Sequence, residues 1–238
     1  MSSAAALLAT VLFAASTPAL SQSTGTTFSA PLTNGSTRAA RTNGGQHTAE
    51  GWRVTSNAAG NAIGQYLMYA MPAGAKAGTV EFEARGFATG KYAATSDNRE
   101  HVWGVCDKDV PHDMPESASS CFQLRLYDHK LPTGTFYAGA HRFRFMSPAT
   151  SDIDADKKSP VSWDRNKWYR FKFQWSQTGA QWYKDGVLQG TLKIRSQNKS
   201  YRYVYVGSDY RKVGLVPVNV TYRNLRITSN VAGTWNVR

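Results

Sequence analysis

The sequence is poor in cysteine, in acidic residues and in long apolar runs, and each shortage narrows the choice of fold and function. Two cysteines among 238 residues allow at most one disulfide. No apolar run after the N-terminus reaches the roughly 20 residues that a membrane-spanning helix needs. The chain has no internal repeat, no convincing amphipathic helix and no glycine-rich phosphate loop. These absences exclude coiled coils, transmembrane helical proteins and nucleotide-binding α/β folds.

The shortage of acidic residues leaves the protein strongly basic. Lys and Arg number 28 and Asp and Glu number 16, which gives a formal net charge of +12. A positive field of this size concentrates polyanions at a protein surface. For an exported protein we expect an acidic polysaccharide as the partner and not a nucleic acid. The alternative is that the charge serves solubility alone.

The N-terminus has the pattern of a signal peptide. Residues 4–15 are almost entirely apolar but too few to span a bilayer, and Ala19 and Ser21 suit cleavage before Gln22. No Lys or Arg precedes the apolar run, which departs from the usual pattern. We predict a signal peptide over residues 1–21 and one domain over residues 22–238. The protein is therefore expected to be secreted, extracellular or periplasmic, without membrane insertion.

The two cysteines, Cys106 and Cys121, predict a disulfide in an exported chain. A zinc site that adds His112 is the alternative, although this spacing fits no standard zinc pattern. No metal is therefore assigned.

Most of the chain consists of short runs that alternate with a period of two, which is the pattern of half-buried β-strands. Residues 79–87, 121–127 and 140–145 show it, and residues 168–175 show it most clearly. In that last run Tyr169, Phe171, Phe173 and Trp175 share one face. Turn signals at 176–179 and at Asp185-Gly186 predict two hairpins. Ten or more such strands predict a sandwich or a barrel whose sheets have one buried and one solvated face.

Three of these strands carry polar and charged residues on their outward faces. If the sheet curls, those faces could line one shared groove, and the alternative is an ordinary solvated surface. Arginine forks match carboxylate oxygens in bidentate geometry, and exposed aromatic rings stack on sugars. The predicted binding residues are Glu81, Glu83, Arg85, Gln123, Arg125, Tyr127, Arg142, Arg144 and Lys172.

From Gly51 onward the sequence resembles the concanavalin A-like lectin/glucanase superfamily. The resemblance is carried by G-T-V-E-F-E-A-R-G at 78–86, by W-Y-R-F-K-F-Q-W at 168–175 followed by W-Y-K-D-G-V-L, and by the segments from V-Y-V-G-S-D-Y to V-T-Y-R-N-L-R-I. It implies an all-β, two-sheet antiparallel jelly-roll sandwich. It does not settle the function, because members include lectins, glycosidases, polysaccharide lyases and adhesion modules.

The resemblance suggests two enzyme mechanisms beside plain glycan binding. A glycosidase would use acids on one strand, but Arg85 stands where a third acid is expected after Glu81 and Glu83. A polysaccharide lyase would use Tyr137 or His141 as the base and Arg125 or Arg142 to clamp a uronate carboxylate. Both lyase motifs are incomplete in this chain. Binding of an acidic polysaccharide without catalysis is the leading prediction, and a lyase is the first alternative. A glycoside hydrolase and a structural, adhesion or protein-binding role are the others.

The sequence predicts no cofactor. The acidic run Asp152-x-Asp154-x-Asp156 lacks the Gly and Glu that an EF-hand loop needs, because Lys157 and Trp163 occupy those positions. A structural calcium site of another kind at this loop is the alternative to a solvated loop. We expect the protein to be a monomer.

Overall fold

The computed structural model describes residues 25–55, 65–86, 98–109, 121–128, 142–146, 164, 166–193, 200–207 and 219–237. For residues 98–101, 125–128, 142–146 and 193 only the backbone is described. The predicted signal peptide and the acidic run at 152–156 lie outside this part of the chain.

The described residues form fourteen β-strands and no helix. The strands are β1 (Thr27–Ala30), β2 (Arg41–Asn43), β3 (Gln46–Thr48), β4 (Gly51–Arg53), β5 (Tyr66–Ala75), β6 (Gly78–Arg85), β7 (Asn98–Cys106), β8 (Cys121–Asp128), β9 (Arg142–Met146), β10 (Tyr169–Trp175), β11 (Gly179–Lys184), β12 (Val187–Lys193), β13 (Tyr201–Gly207) and β14 (Thr221–Ser229). Accordingly, this part of the chain contains no helix that could cross a membrane.

The strands form two antiparallel sheets. The eight-stranded sheet has the order β12-β11-β10-β6-β14-β4-β3, with β1 also paired to β14. The six-stranded sheet has the order β2-β5-β13-β7-β8-β9. Neither order closes into a barrel, so the predicted all-β jelly-roll sandwich is confirmed.

Local sequence explains the best-predicted part of this fold, the β10–β11–β12 meander. The burial of β10 alternates strictly, with Phe171 and Phe173 each 1% exposed. Asp185 and Gly186 join β11 to β12 with φ angles of 50° and 81°. Two successive positive φ values define the type I′ turn that matches the twist of a hairpin. Both predicted hairpins are present.

Aromatic side chains from both sheets fill the space between them. The Phe173 ring centroid lies 4.4 Å from that of Trp103 and 5.5 Å from that of Phe122, across the sandwich. Phe28 and Tyr69 make a similar contact at 5.2 Å. Each large apolar side chain buried in this way contributes roughly 2–3 kcal/mol. This layer is the main hydrophobic core.

A second buried cluster lies on the outer face of the six-stranded sheet, which is the face directed away from the other sheet. Nearly all of its side chains belong to the strands of that sheet. It contains Tyr66, Met68, Tyr205 and the disulfide-bonded pair Cys106 and Cys121. The predicted disulfide is therefore confirmed. The prediction that each sheet has one solvated face holds for the eight-stranded sheet and is wrong for this one where its outer side chains are described, because Tyr66, Met68 and Tyr205 are buried there.

Candidate functional site

The predicted binding residues are divided between the two sheets. Glu81, Glu83 and Arg85 lie on β6 and Lys172 lies on β10, both in the eight-stranded sheet. Gln123, Arg125 and Tyr127 lie on β8 and Arg142 and Arg144 on β9, both in the six-stranded sheet. The main core separates these strands, so the prediction of one groove shared by all of them is wrong. Tyr137 and His141 lie outside the described residues.

On the eight-stranded sheet the predicted residues form ion pairs with their neighbours. Glu83 Oε2 accepts a hydrogen bond of 2.6 Å from Arg223 Nε. Glu81 Oε2 lies 3.3 Å from Arg170 Nη2. Arg85 forms an ion pair with Glu50. These contacts hold the two carboxylates in place on a partly solvated surface.

Lys172 belongs to the same surface. Its Nζ lies 5.7 Å from the centroid of the Tyr183 ring, within the range of a cation–π contact. The Tyr183 hydroxyl donates to Gln181 Oε1 at 2.9 Å. The outer face of the eight-stranded sheet is thus a surface of local polar pairs.

In the six-stranded sheet, strand pairing places one residue of each strand beside one residue of the next, so that six residues form a line across the sheet. This transverse row consists of Arg41, Met68, Tyr205, Gly104, Gln123 and Met146, in the order of the strands. Five strand spacings of about 4.8 Å give the row a length of about 24 Å. Met68, Tyr205, Gly104 and Gln123, the middle of this row, are buried.

Two further rows, next to Gln123, place basic residues together on β7, β8 and β9. One row pairs His101 with Arg125 and Arg125 with Arg144; the next pairs Arg99 with Tyr127 and Tyr127 with Arg142. We call these six positions the basic rows. They contain four arginines, one histidine and no acid. A register shift between His101 and Trp103 on β7 brings His101 opposite Arg125.

Gln123 is the one predicted binding residue of this sheet whose side chain is described. It is 2% exposed, although its strand neighbours Phe122 and Leu124 belong to the main core on the other face. A buried amide is costly unless it is hydrogen-bonded, so it is usually held in a defined orientation. Gln123 is therefore a buried amide on the same face of β8 as the basic rows.

At the opposite end of the transverse row, Arg41 and Asp109 form a bidentate ion pair. Arg41 Nη2 lies 2.7 Å from Asp109 Oδ1, and Arg41 Nη1 lies 3.0 Å from Oδ2. The Tyr205 hydroxyl donates to Asp109 Oδ1 at 2.8 Å. The hydrogen bond to Asp109 holds the pKa of Arg41 well above its usual range. Sequence reasoning missed this contact, since nothing in a single sequence connects two residues 68 positions apart.

Within the described ranges, no group of three or more His, Cys, Asp or Glu side chains could hold a metal ion. The absence of a cofactor remains a prediction, and the alternative calcium loop at 152–156 lies outside those ranges.

Comparisons with known proteins identify the fold but not a family. No protein-family model matches the sequence. No curated protein sequence matches it either.

Among solved structures, alginate lyase Aly36B superposes with a TM-score of 0.58 and 13% identity, over 84% of this chain and 96% of that one. A mutant of that enzyme in complex with an alginate tetrasaccharide gives the same score at 11% identity, with the same coverage of both chains. Part of Trypanosoma rangeli sialidase, bound to the inhibitor DANA, superposes with a TM-score of 0.50 and 13% identity, over 81% of this chain and 27% of that one. The chain therefore shares the jelly-roll fold of alginate lyase Aly36B.

Proposed function

We propose that this protein binds an acidic polysaccharide at the end of its six-stranded sheet formed by β7, β8 and β9. The observation that carries the proposal is the pair of basic rows beside Gln123. Four arginines and a histidine at adjacent register positions favour a ligand with repeated negative charges. The net charge of +12 favours the same class of ligand.

The residue types at this end of the face suit a polymer of acidic sugars. Bidentate arginines recognise carboxylates, and amides recognise hydroxyl groups. A uronate chain offers both groups on every sugar. The ligand class is therefore a polyuronate.

The second candidate function is cleavage of that polymer by β-elimination. Two observations favour it: the fold similarity to an alginate lyase, and the neighbouring positions of Gln123 and Arg125. In this reaction a base removes the proton at C5, a double bond forms between C4 and C5, and the C4–O bond breaks as the leaving oxygen gains a proton. Arg125 would stabilise the charge on the carboxylate, and Tyr127, His101 or the predicted Tyr137 or His141 would serve as base.

Affinity gel electrophoresis tests the binding proposal. The mature protein is run through native gels that contain alginate, another polyuronate or a neutral glucan. We expect retardation by the polyuronates, and weaker retardation of the Arg125→Ala and Arg144→Ala variants. Arg226→Ala, an exposed arginine of the eight-stranded sheet, is the matched control and should behave as the wild type. If Arg125→Ala and Arg144→Ala are retarded as much as Arg226→Ala, the proposed location of the site is contradicted. If no acidic glycan retards the wild type, the proposed function is contradicted.

A second measurement separates binding from catalysis. The protein is incubated with each glycan while ultraviolet absorbance of the unsaturated uronate and the number of reducing ends are followed. A rise in both indicates a lyase, and new reducing ends alone indicate a hydrolase. Retardation in the gel with neither change identifies a binding protein.

We also propose that the protein is secreted. The Cys106–Cys121 disulfide supports this, since such bonds persist in oxidising compartments. Mass spectrometry of the protein recovered from the culture medium tests it. The predicted mature form begins at Gln22, and recovery of a chain that retains residues 1–21 inside the cell would contradict the proposal.

A further inference from the structure

Strand β7 contains a β-bulge at Val102. Read from its C-terminal end, β7 pairs with β8 in an unbroken antiparallel register as far as Trp103, and the register shifts by one residue between Trp103 and His101. The described side chains show the same irregularity. Val102 and Trp103 follow each other in the chain, yet both are buried in the main core. In a regular strand consecutive side chains lie on opposite faces, so Val102 is the residue that the bulge adds.

The bulge determines which residue of β7 lies opposite Arg125. In the structure this residue is His101. If the register at Trp103 continued without a shift, Val102 would take that position instead. The bulge thus replaces an apolar residue of this basic row by a histidine.

The same shift keeps an acid out of the next basic row. Arg99 lies opposite Tyr127 in the structure, whereas the unbroken register would put Glu100 at that position. The six positions would then hold three arginines and one glutamate, with a formal charge of +2, in place of four arginines with a formal charge of +4, the histidine being counted as neutral. A carboxylate at this place would repel the carboxylates of a bound polyuronate.

A tyrosine of the opposite sheet binds the backbone of the bulge. The Tyr222 hydroxyl, on β14, donates to Val102 O at 3.2 Å, and both residues are fully buried. Because a bulge interrupts the ladder locally, a buried carbonyl at this place needs a donor from elsewhere. The Tyr222 ring is itself packed, with its centroid 6.0 Å from that of Trp52 and 5.6 Å from that of Phe82. Its hydroxyl is therefore a fixed donor at the bulge.

We propose that Tyr222 is a positioning residue of the polysaccharide site. By holding the bulge at Val102, it keeps Arg99 in the basic rows and Glu100 out of them. The inference rests on the proposed function and deepens it, because it names what sets the charge of the site. The disulfide fixes the register of β7 and β8 on the far side of the bulge, so the alternative register is open only to the part of β7 that precedes it.

Tyr222→Phe tests the inference against a matched control. Tyr69→Phe removes an equivalent bond, from a buried tyrosine hydroxyl to Thr37 O at 2.9 Å, on β5, which β13 separates from β7. Each substitution removes one buried hydrogen bond and should lower the melting temperature by roughly 2–4 °C. Only Tyr222→Phe should lower the affinity for a polyuronate oligosaccharide, severalfold, as measured by isothermal titration calorimetry. Equal affinities of the two folded variants would overturn the inference.

Arg99→Ala and Glu100→Gln reveal the register through their effects on binding. In the wild type, Arg99→Ala should lower the affinity about tenfold at low salt, as the loss of one charge-assisted contact does, and Glu100→Gln should leave it unchanged. In the Tyr222→Phe background the effect of Arg99→Ala should shrink, and Glu100→Gln should raise the affinity. A loss of stability alone would change neither effect. If both effects are the same in the two backgrounds, Tyr222 does not position the site.

Paired cysteine substitutions test the register without a ligand. Residues directly opposite each other in an antiparallel pair are close enough for a disulfide. Arg99→Cys with Tyr127→Cys should cross-link on oxidation, and Glu100→Cys with Tyr127→Cys should cross-link faster after Tyr222→Phe than before it. Identical cross-linking rates with and without Tyr222→Phe would contradict the inference. If the wild type binds no acidic glycan, the proposed function fails, and the cross-linking rates still decide whether Tyr222 sets the register.

Discussion

Arg41 and Asp109 join strands that are not neighbours. Arg41 lies on the edge strand β2, and Asp109 lies three residues beyond the end of β7, with β5 and β13 between them in the sheet. The ion pair therefore crosses the outer face of the six-stranded sheet. The Arg41 guanidinium lies 5.6 Å from the centroid of the Tyr66 ring, and the Tyr205 hydroxyl donates to the same carboxylate. The Asp109 carboxylate thus binds both Arg41 of the edge strand and the buried Tyr205, and Arg41 in turn contacts the buried Tyr66.

The first prediction concerns this carboxylate. Asp109→Asn keeps the shape but removes the charge, so that Arg41 and Tyr205 lose their best acceptor. Both side chains of the ion pair are about one-third exposed, and solvent screening limits the loss to about 1 kcal/mol. Urea denaturation measures it. Tyr205→Phe and the double variant complete a cycle, and strictly additive effects would show that Asp109 and Tyr205 do not act together.

The second prediction concerns the disulfide. Cys106 and Cys121 are 15 residues apart, and cross-linking a loop of this length stabilises a protein by roughly 3 kcal/mol. The double variant Cys106→Ser and Cys121→Ser should lose about that much in denaturant unfolding. The wild type measured with a reductant should lose a similar amount. Unchanged stability in both experiments would contradict the prediction.

The third prediction is a loss of stability at alkaline pH. Burial raises the pKa of Tyr69 and, together with Asp107, that of Tyr201 above the ordinary value near 10. The unfolded chain therefore releases these protons first as pH rises. These two tyrosines do not change the free energy of unfolding below pH 10, and each should lower it above pH 10 by about 1.4 kcal/mol per pH unit.

Tyr69→Phe separates this effect from other alkaline transitions. The substitution removes the hydrogen bond of 2.9 Å to Thr37 O and should cost about 1 kcal/mol at neutral pH. Above pH 10 the free energy of unfolding should also fall less steeply, because one of the two tyrosines no longer contributes its share of about 1.4 kcal/mol per pH unit. A decline as steep as that of the wild type would show that Tyr69 ionises equally easily in both states.

The fourth prediction concerns the salt dependence of polysaccharide binding. Affinity for a polyuronate should fall as ionic strength rises, because screening weakens contacts to exposed charges. Arg125→Ala and Arg144→Ala should each lower the affinity about tenfold at low salt, which corresponds to one charge-assisted contact of about 1.4 kcal/mol. Each should also make the salt dependence shallower. Binding that is insensitive to salt would contradict an electrostatic site.

The fifth prediction concerns the two carboxylates of β6. Because Glu81 and Glu83 lie on the eight-stranded sheet, Glu81→Gln and Glu83→Gln should leave glycan retardation and any cleavage unchanged. Each should cost less than about 1 kcal/mol, as exposed ion pairs do. Loss of function in either variant, with unfolding unchanged, would move the site to that sheet.

The sequence predicted the strands well, because the evidence for each strand is local. The alternation of β10 and the Asp185-Gly186 turn are complete within a few residues, and both are confirmed. The outward position of Gln123 also followed from alternation with Phe122 and Leu124. The disulfide followed from the presence of only two cysteines.

The sequence could not predict which strands are neighbours. Strand β6 pairs with β10 and β14, which are distant in the chain, so its acids are separated from β8 by the main core. The second buried cluster was missed because β5 has six consecutive buried residues, Tyr66 to Met71, which leave no alternation to read. The Arg41–Asp109 pair depends on the same long-range arrangement.

The burial of β5 on both of its faces has a consequence for how the protein can change. In β10 every second residue faces solvent, and substitutions there cost little. In β5 almost any substitution from Tyr66 to Met71 disturbs one of two packed layers. A library of single substitutions should therefore show a tolerant outer surface on the eight-stranded sheet and an intolerant one opposite it. Selection for a new ligand would have to act through the few positions of that intolerant face that do not also support the packing.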